Sequence, residues 1–352
     1  MFNPLKFKCT SVVGIDINRC SVKVVEISTH HGTQRIDGFA KEVLPLGALE
    51  GNTIKNSHVV SECIKRAIDK GGIQGKHAIV AVPDAAVITQ VISINAGLSA
   101  REVEEFIKME SENYTPYPSD EINVDFQIMG SSLSNSAMHE VHVFVSRREK
   151  VDERVIAVNR AGLEVKVVDI ESFAMQRSAQ LLVKRSPHEN QGKGQLEAII
   201  ALIDIGALEI RLVVLQGVRV IFTREEEFAS KLLILALLQH NSEKFVSDQL
   251  AEWDEVTHLQ HLMDGLLLQI KRLLQFFFST SHYQCIEHLI LAGEITGLPR
   301  FLPFVQEKMG VVTSIANPLN SLNVNKNLDY QSLLETSPSM MLACGLALRR
   351  IR

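Results

Sequence analysis

The chain opens on apolar runs of strand length. Thr10 to Ile17 reads as a buried strand, the residues around Val22 and Val24 as a second, and Arg35 to Val43 as a weaker third. The period then changes. Val60, Ile64, Ala67 and Ile68 fall on one face of a helix over His58 to Lys70, which Gly71-Gly72 stops. His77 to Val82 is a short buried strand ending at Pro83. The next stretch has a different texture. Ser99-Ala100-Arg101-Glu102 carries capping-box spacing, followed by an apolar stripe at Val103, Phe106 and Ile107 in a helix over Ser99 to Ser111. Ile122, Val124, Phe126 and Ile128 alternate as a half-buried strand, and Val141, Val143 and Val145 form the strand returning from it. Together these predict a small α/β insertion over roughly 84–153. A helix at Arg148 to Ala161, a strand at Val165 to Asp169 and a helix at Ser172 to Lys184 close the first half.

A polar stretch with Pro and Gly and no periodicity, Arg185 to Gly194, nearly bisects the chain and reads as a linker. The opening pattern then recurs. Ala198 to Ile205, Glu209 to Leu215 and Val218 to Phe222 read as strands, with Gln216-Gly217 as a hairpin turn. Helical patterns cover Phe228 to His240 and Trp253 to Phe278. Leu289 to Leu291 is a strand, Leu298 to Lys308 a helix, and Met340 to Arg350 an apolar closing helix.

The recurrence carries the candidate chemistry. Gly14-Ile15-Asp16-Ile17 begins one strand–turn–strand unit, and Leu202-Ile203-Asp204-Ile205-Gly206-Ala207 begins another. Asp16 and Asp204 lie 188 positions apart, about half the chain. A strand ending in Asp before a tight turn presents backbone N–H groups to an anion, and the Asp can hold a hydrated divalent cation beside it. Two such hairpins facing across a cleft would clamp a nucleoside triphosphate. Asn18 and Gly206 occupy matching turn positions, and both residue types tolerate left-handed backbone. A third Gly-rich turn at Gly293 suits close approach to a flat ring or ribose.

Composition narrows the class without choosing a function. The chain has 352 residues, 46% hydrophobic and 22% charged, and suggests about two folded domains. A net charge of −5 gives no reason to expect nucleic-acid binding. The cysteines (Cys9, Cys20, Cys63, Cys285, Cys344) are scattered and odd in number, which reads as a reducing compartment. Apolar runs such as Leu232 to Leu238 fall short of a membrane span, and the start lacks the pattern of a secretion signal. His258 and His261 have metal-ligand spacing but no third ligand beside them, and no Gly-x-Ser-x-Gly elbow occurs.

The motifs Gly-Ile-Asp-Ile, Ile-Asp-Ile-Gly-Ala and Leu-Ala-Gly-Glu-Ile-Thr-Gly-Leu resemble the two phosphate motifs and the adenosine motif of the actin-like ATPases. Within that superfamily the chain resembles the PilM family of type IV pilus assembly. Tyr114-Thr115-Pro116-Tyr117-Pro118, Asp125-Phe126-Gln127, Val167-Val168-Asp169-Ile170-Glu171, Ala316-Asn317-Pro318 and Ala343-Cys344-Gly345-Leu346-Ala347-Leu348 point the same way. The resemblance implies an α/β fold of two lobes, each a mixed β-sheet flanked by helices, with a nucleotide cleft between them. It also implies four subdomains: 1–83 with 154–190 and 338–352 (1A), 84–153 (1C), 196–225 with 285–337 (2A), and 226–284 (2B). By position, Asp16, Asn18, Ser21, Lys23, Asp204, Gly206, Ala207, Lys231, Gly293 and Glu294 would bind ATP, with Asp16 and Asp204 holding Mg²⁺ mostly through water. The implied partner is the cytoplasmic N-terminal tail of the inner-membrane protein PilN, docked between 1A and 1C. Contacts with the pilus motor ATPases and the platform protein would follow. The protein would then be cytoplasmic and held at the inner membrane through that partner.

Several residues depart from the family pattern. Asn18 stands where the family has Gly or Ser, Arg19 adds a bulky cation, and Glu294 replaces the second Gly of a Gly-Gly pair. Phe228-Ala229-Ser230-Lys231 stands where a helix normally begins with a Gly-Gly step. These changes add atoms where the family has bare backbone, which leaves at most a weak ATPase. The competing readings are a nucleotide-free scaffold and a phosphotransferase of the sugar- or acetate-kinase type, for which no substrate base is visible. A self-tethering actin-like division protein is disfavoured by the missing basic amphipathic end.

Overall fold

The computed structural model describes residues 10–110, 113, 115–131, 137–183, 198–206, 208–217, 219–227, 255–298 and 300–351. The first lobe is built on strands β1 (Thr10–Ile17), β2 (Ser21–His30) and β3 (Thr33–Val43). These form an antiparallel meander in which Asp16 lies opposite Lys23 and Gly14 opposite Val25. Short strands β4 (Leu49–Glu50) and β5 (Thr53–Ile54) lead into helix α1 (Ser57–Lys70) and strand β6 (His77–Val82). The Asn56 side chain caps α1 by accepting the N–H of Val59.

The insertion is a three-stranded antiparallel sheet of β7 (Val87–Asn95), β8 (Ile122–Ser131) and β9 (Met138–Arg147), in the order β7-β9-β8. Helix α2 (Ala100–Met109) packs on one face, with the expected Ser99–Glu102 capping box formed. Helix α3 (Arg148–Arg160), strand β10 (Glu164–Ile170) and helix α4 (Glu171–Val183) then return to the first lobe. The second lobe repeats the plan with β11 (Ile199–Ile205), β12 (Glu209–Gln216) and β13 (Arg219–Glu227). It continues through α5 (Glu255–Thr280), β14 (His288–Gly293), α6 (Phe301–Met309) and β15 (Val312–Ile315). The last elements are β16 (Asn323–Val324), α7 (Tyr330–Thr336) and α8 (Met341–Ala347). The main sheets run β10-β6-β1-β2-β3-β16 and β13-β12-β11-β14-β15, each mixing parallel and antiparallel neighbours.

Several expectations shift. Strand β7 lacks a clean hydrophobic alternation, because Val87 and Val91 sit on the face opposite Ile88, Ile92 and Ile94, so both parities are apolar. The chain returns to the first lobe before residue 338. Strand β16 pairs with β3, while Leu319 and Leu333 pack with Val25, Ile27 and Ile36. The closing helix is shorter than Met340 to Arg350, and the helix expected from Leu298 begins at Phe301. The expected linker from Arg185 to Gly194 and the helix over Phe228 to His240 lie outside the described residues.

Helix α8 lies between β1 and α4 at a distance that admits no side chain at two glycines. A Cβ on Gly14 would meet the Ala343 carbonyl oxygen at 2.0 Å, and one on Gly345 would meet that of Ala174 at 1.8 Å. Both obstacles are backbone, so neither can rotate away. Gly14→Ala or Gly345→Ala is therefore expected to destabilise the fold by roughly 3 kcal/mol, as overpacking of a close-packed core does. Chemical denaturation checks this, and a loss under about 0.5 kcal/mol would contradict the packing described.

Candidate functional site

The two repeated hairpins place their aspartates face to face. Asp16 is next to last in β1 and Asp204 next to last in β11, and Asp16 is buried and Asp204 half-buried. A buried carboxylate needs a cation or hydrogen bonds to offset lost hydration. Each copy supplies the cation by the same device. Lys23 lies opposite Asp16 on β2, and Arg211 lies opposite Asp204 on β12. Lys23 Nζ is 3.4 Å from Asp16 Oδ2 and 3.7 Å from Glu294 Oε1. Lys41 Nζ, on β3, reaches the same Glu294 oxygen at 2.7 Å. The Arg211 guanidinium donates to Glu225 at 2.7 Å and to Glu171, the first residue of α4. Asp16, Asn18, Lys23, Glu171, Asp204, Gly206, Glu209, Arg211 and Gly293 line one cavity of about 20 Å³, room for about one water molecule.

Six carboxylates (Asp16, Glu171, Asp204, Glu209, Glu225, Glu294) share three cations here (Lys23, Lys41, Arg211). Burial dominates the titration of Glu171, Glu209 and Asp204. It pushes Glu171 up to about 8 against the pull of Arg211, and Glu209 up to about 7. Asp204 is also raised by burial, with Lys23 and Arg211 opposing. Glu294 is the exception. Burial works to raise it, but the Lys23 and Lys41 ammonium groups prevail and hold it below the usual carboxylate range. Burial, with Glu294 and Glu209 nearby, raises the Cys20 thiol to about 11, so it stays protonated.

The turn after β1 is closed on itself. Asn18 Oδ1 accepts the backbone N–H of Cys20 at 3.0 Å, that of Ser21 at 2.8 Å and the Ser21 hydroxyl at 3.2 Å. This is an Asx-type arrangement in which the side-chain carbonyl satisfies the local donors. Across the cleft, the Gly206 N–H donates to the Glu209 carbonyl at 2.9 Å. Gly293 has φ +91, and a Cβ there would meet the Ile205 carbonyl oxygen at 2.3 Å and Asp204 Oδ1 at 2.7 Å. The bareness of Gly293 thus serves contact between β14 and β11, where the sequence suggested approach to a ring or ribose.

Of the residues expected at this site, Asp16, Asn18, Lys23, Asp204, Gly206 and Gly293 line the cavity, Ser21 sits in the Asn18 turn and Glu294 bridges Lys23 and Lys41. Ala207 and Lys231 lie outside the described residues. Lys41, Glu171, Glu209, Arg211 and Glu225 were missed. Arg211 had a visible signal: it follows Asp204 by seven positions, as Lys23 follows Asp16, and interrupts an apolar run.

ATP and Mg²⁺ do not fit the cleft in this arrangement. Small-molecule pockets run to roughly 300 Å³ or more, against about 20 Å³ in the cavity that these residues line among the described residues. The turn donors a phosphate would use are held by Asn18, and the lysines that would face it are held by Asp16 and Glu294. Among the described residues no group of three or more metal-ligating side chains converges to hold an ion.

A second concavity, of about 1430 Å³, lies between the first lobe and the insertion. Residues 123–128 of β8 and 167–170 of β10 line it consecutively, and among the described residues both strands are sheet edges. Phe173 of α4 packs edge-on against Phe144 at 5.3 Å on its wall. On its floor Asp169 is held by Arg177 and, at 2.5 Å, by Arg349. Among the described residues no helix is long and apolar enough to cross a membrane.

Residues 14–351 match the family described as type IV pilus assembly protein PilM. A solved structure, the PilM-PilN type IV pilus biogenesis complex, is similar at TM-score 0.71 and 24% identity, over 97% of this chain and 98% of that one. The ethanolamine utilization protein EutJ from Carboxydothermus hydrogenoformans is similar at TM-score 0.52 and 14% identity, over 98% of this chain and 91% of that one. The fold is the two-lobed actin-like ATPase fold.

The raised carboxyls make a pH prediction. A carboxyl with a folded pKa above its ordinary 4.5 contributes stability that is full below that value and lost as pH rises through the folded one. The melting temperature should therefore fall as pH rises above about 4.5, through the values of about 7 and 8 at Glu209 and Glu171, and level off beyond them. Glu171→Gln should flatten that fall. Identical slopes by scanning calorimetry would show that Glu171 carries no proton in the folded protein.

Proposed function

The chain belongs to the PilM family of type IV pilus assembly proteins, and on that premise we propose that it captures the cytoplasmic N-terminal tail of PilN. In this reading the tail lies extended in the groove between the insertion and the first lobe. The observation that carries the proposal is the groove between two sheet edges, β8 and β10. Strand edges present unpaired N–H and C=O groups, and an extended peptide satisfies them by strand addition. The six consecutive residues of β8 along the groove offer about 20 Å of edge at roughly 3.3 Å per residue. That length suits a short tail segment. Phe126, Phe144 and Phe173 supply apolar contact along the walls, and Arg177, Asp169 and Arg349 form a fixed ionic floor.

The solved relative is a complex of PilM with PilN, which supports this choice of partner. Capture of a membrane protein's tail would hold the chain at the inner membrane and link the assembly platform to the cytoplasmic motor. No step here runs through ATP or Mg²⁺.

A synthetic peptide of the PilN tail is expected to bind the full chain with a Kd of micromolar or below by titration calorimetry, about −8 kcal/mol or better. Phe173→Asp and Asp125→Lys should each weaken it roughly tenfold, with the fold checked by circular dichroism. Asp125 is exposed, so its variant has little to disturb in the fold. No binding, or binding that neither variant changes, would overturn the groove assignment.

A further inference from the structure

Glu294 and the turn held by Asn18 take part in closing the cleft. Among the described residues, the following contacts join the lobes there. The Glu294 carboxylate, from the turn after β14, sits between Lys23 and Lys41 of the first lobe. Arg211 of the second lobe reaches Glu171 at the head of α4. Cys20, in the turn after β1, packs on the core of the second lobe with no strand or helix between them. At the rim, Arg19 Nη1 meets Glu227 Oε1 at 3.0 Å, an exposed pair of small energetic weight.

Asn18 and Glu294 together do what an anion would do in this cleft. An anion seated between two such hairpins needs backbone N–H donors and cations. Here the donors at Cys20 and Ser21 point at the Asn18 carbonyl, and the cations Lys23 and Lys41 point at the Glu294 carboxylate. Both acceptors belong to the chain and are fixed by it. The side chains of Lys23 and Glu294 are each only 7% exposed, so their attraction is little screened by solvent or salt.

We infer that this chain latches its two lobes together with its own Glu294, while Asn18 occupies the turn donors an anion would use, and that closure of the cleft is independent of nucleotide. The latch is a substitute ligand built into the two turns. A nucleotide could enter only by displacing Glu294 from two lysines and Asn18 from three donors. The ionic part of the latch depends on the negative charge at position 294, and the turn part on the amide carbonyl at position 18.

The test is titration of the full chain with Mg²⁺-ATP, read by calorimetry and by thermal shift, with no activity assay required. Wild-type protein should show no binding heat at millimolar ATP and no rise in melting temperature, since a ligand bound at 100 times its Kd would stabilise by about 2.7 kcal/mol. The double variant Asn18→Gly, Glu294→Gly leaves bare backbone at both turns. It should melt lower than wild type without nucleotide and regain stability with Mg²⁺-ATP. Glu294→Gln keeps the size and removes the charge, so it should also melt lower. Wild-type binding at micromolar ATP would overturn the inference, as would an unchanged melting temperature in Glu294→Gln. Because these measurements use no PilN peptide, their outcome is separate from that of the groove assignment.

Discussion

Two carboxylates near the ends of the central strands β1 and β11 of the two main sheets set the terms for this molecule. Asp16 and Asp204 come from the two copies of one hairpin, and each needs a cation that the lobe interior would otherwise exclude. Each hairpin places that cation on the next strand, seven residues on: Lys23 in one lobe, Arg211 in the other. A single cation then serves more than one acid. Lys23 also faces Glu294, and Arg211 also serves Glu225 and Glu171. These extra acids tie the lobes together at the cleft, since Glu294 reaches into the first lobe and Arg211 reaches α4, beside an apolar cluster in which Val12, Ile79 and Ala174 of the first lobe pack with Ile200, Leu202 and Ile290 of the second. Breaking one partner of such a buried pair leaves the other charge uncompensated, which typically costs about 3–5 kcal/mol.

The cleft and the groove are separate but meet on one stretch of chain. Asp169, at the end of β10, forms the groove floor with Arg177 and Arg349. Two residues later Glu171 opens α4 and pairs with Arg211 across the cleft. Helix α4 then carries Phe173 and Arg177 into the groove and packs against α8 through Gly345. The groove wall is thus mounted on the same element that anchors the closed cleft. A fixed cleft would hold the groove at a fixed width, as suits a peptide-capturing adaptor.

Much of this was legible in the sequence because local chemistry decides it. Strands β1 and β6, the capping box at Ser99 and the duplicated Asp hairpins are written in short patterns. The convergence of Asp16, Lys23, Asp204 and Gly293 followed from the duplication. What was not legible depends on contacts distant in sequence. Glu171 and Glu225 enter the site only because α4 and β13 fold beside Arg211. Strand β7 is apolar on both faces, which blurs its period, and β16 is too short to show one. The departures at Asn18 and Glu294 were visible as added atoms, but only the structure shows that those atoms take the donors and cations of the cleft.

The latched cleft is tested most directly by amide hydrogen exchange at Cys20 and Ser21 in the full chain, free of nucleotide and then with Mg²⁺-ATP. Donors held by Asn18 in a closed cleft should exchange slowly, at least tenfold below an open turn, because exchange requires local opening. Adding Mg²⁺-ATP should leave that rate unchanged. Fast exchange in the nucleotide-free protein that slows only when Mg²⁺-ATP is added would contradict the account, since the turn would then be waiting for a ligand that the chain does not itself supply.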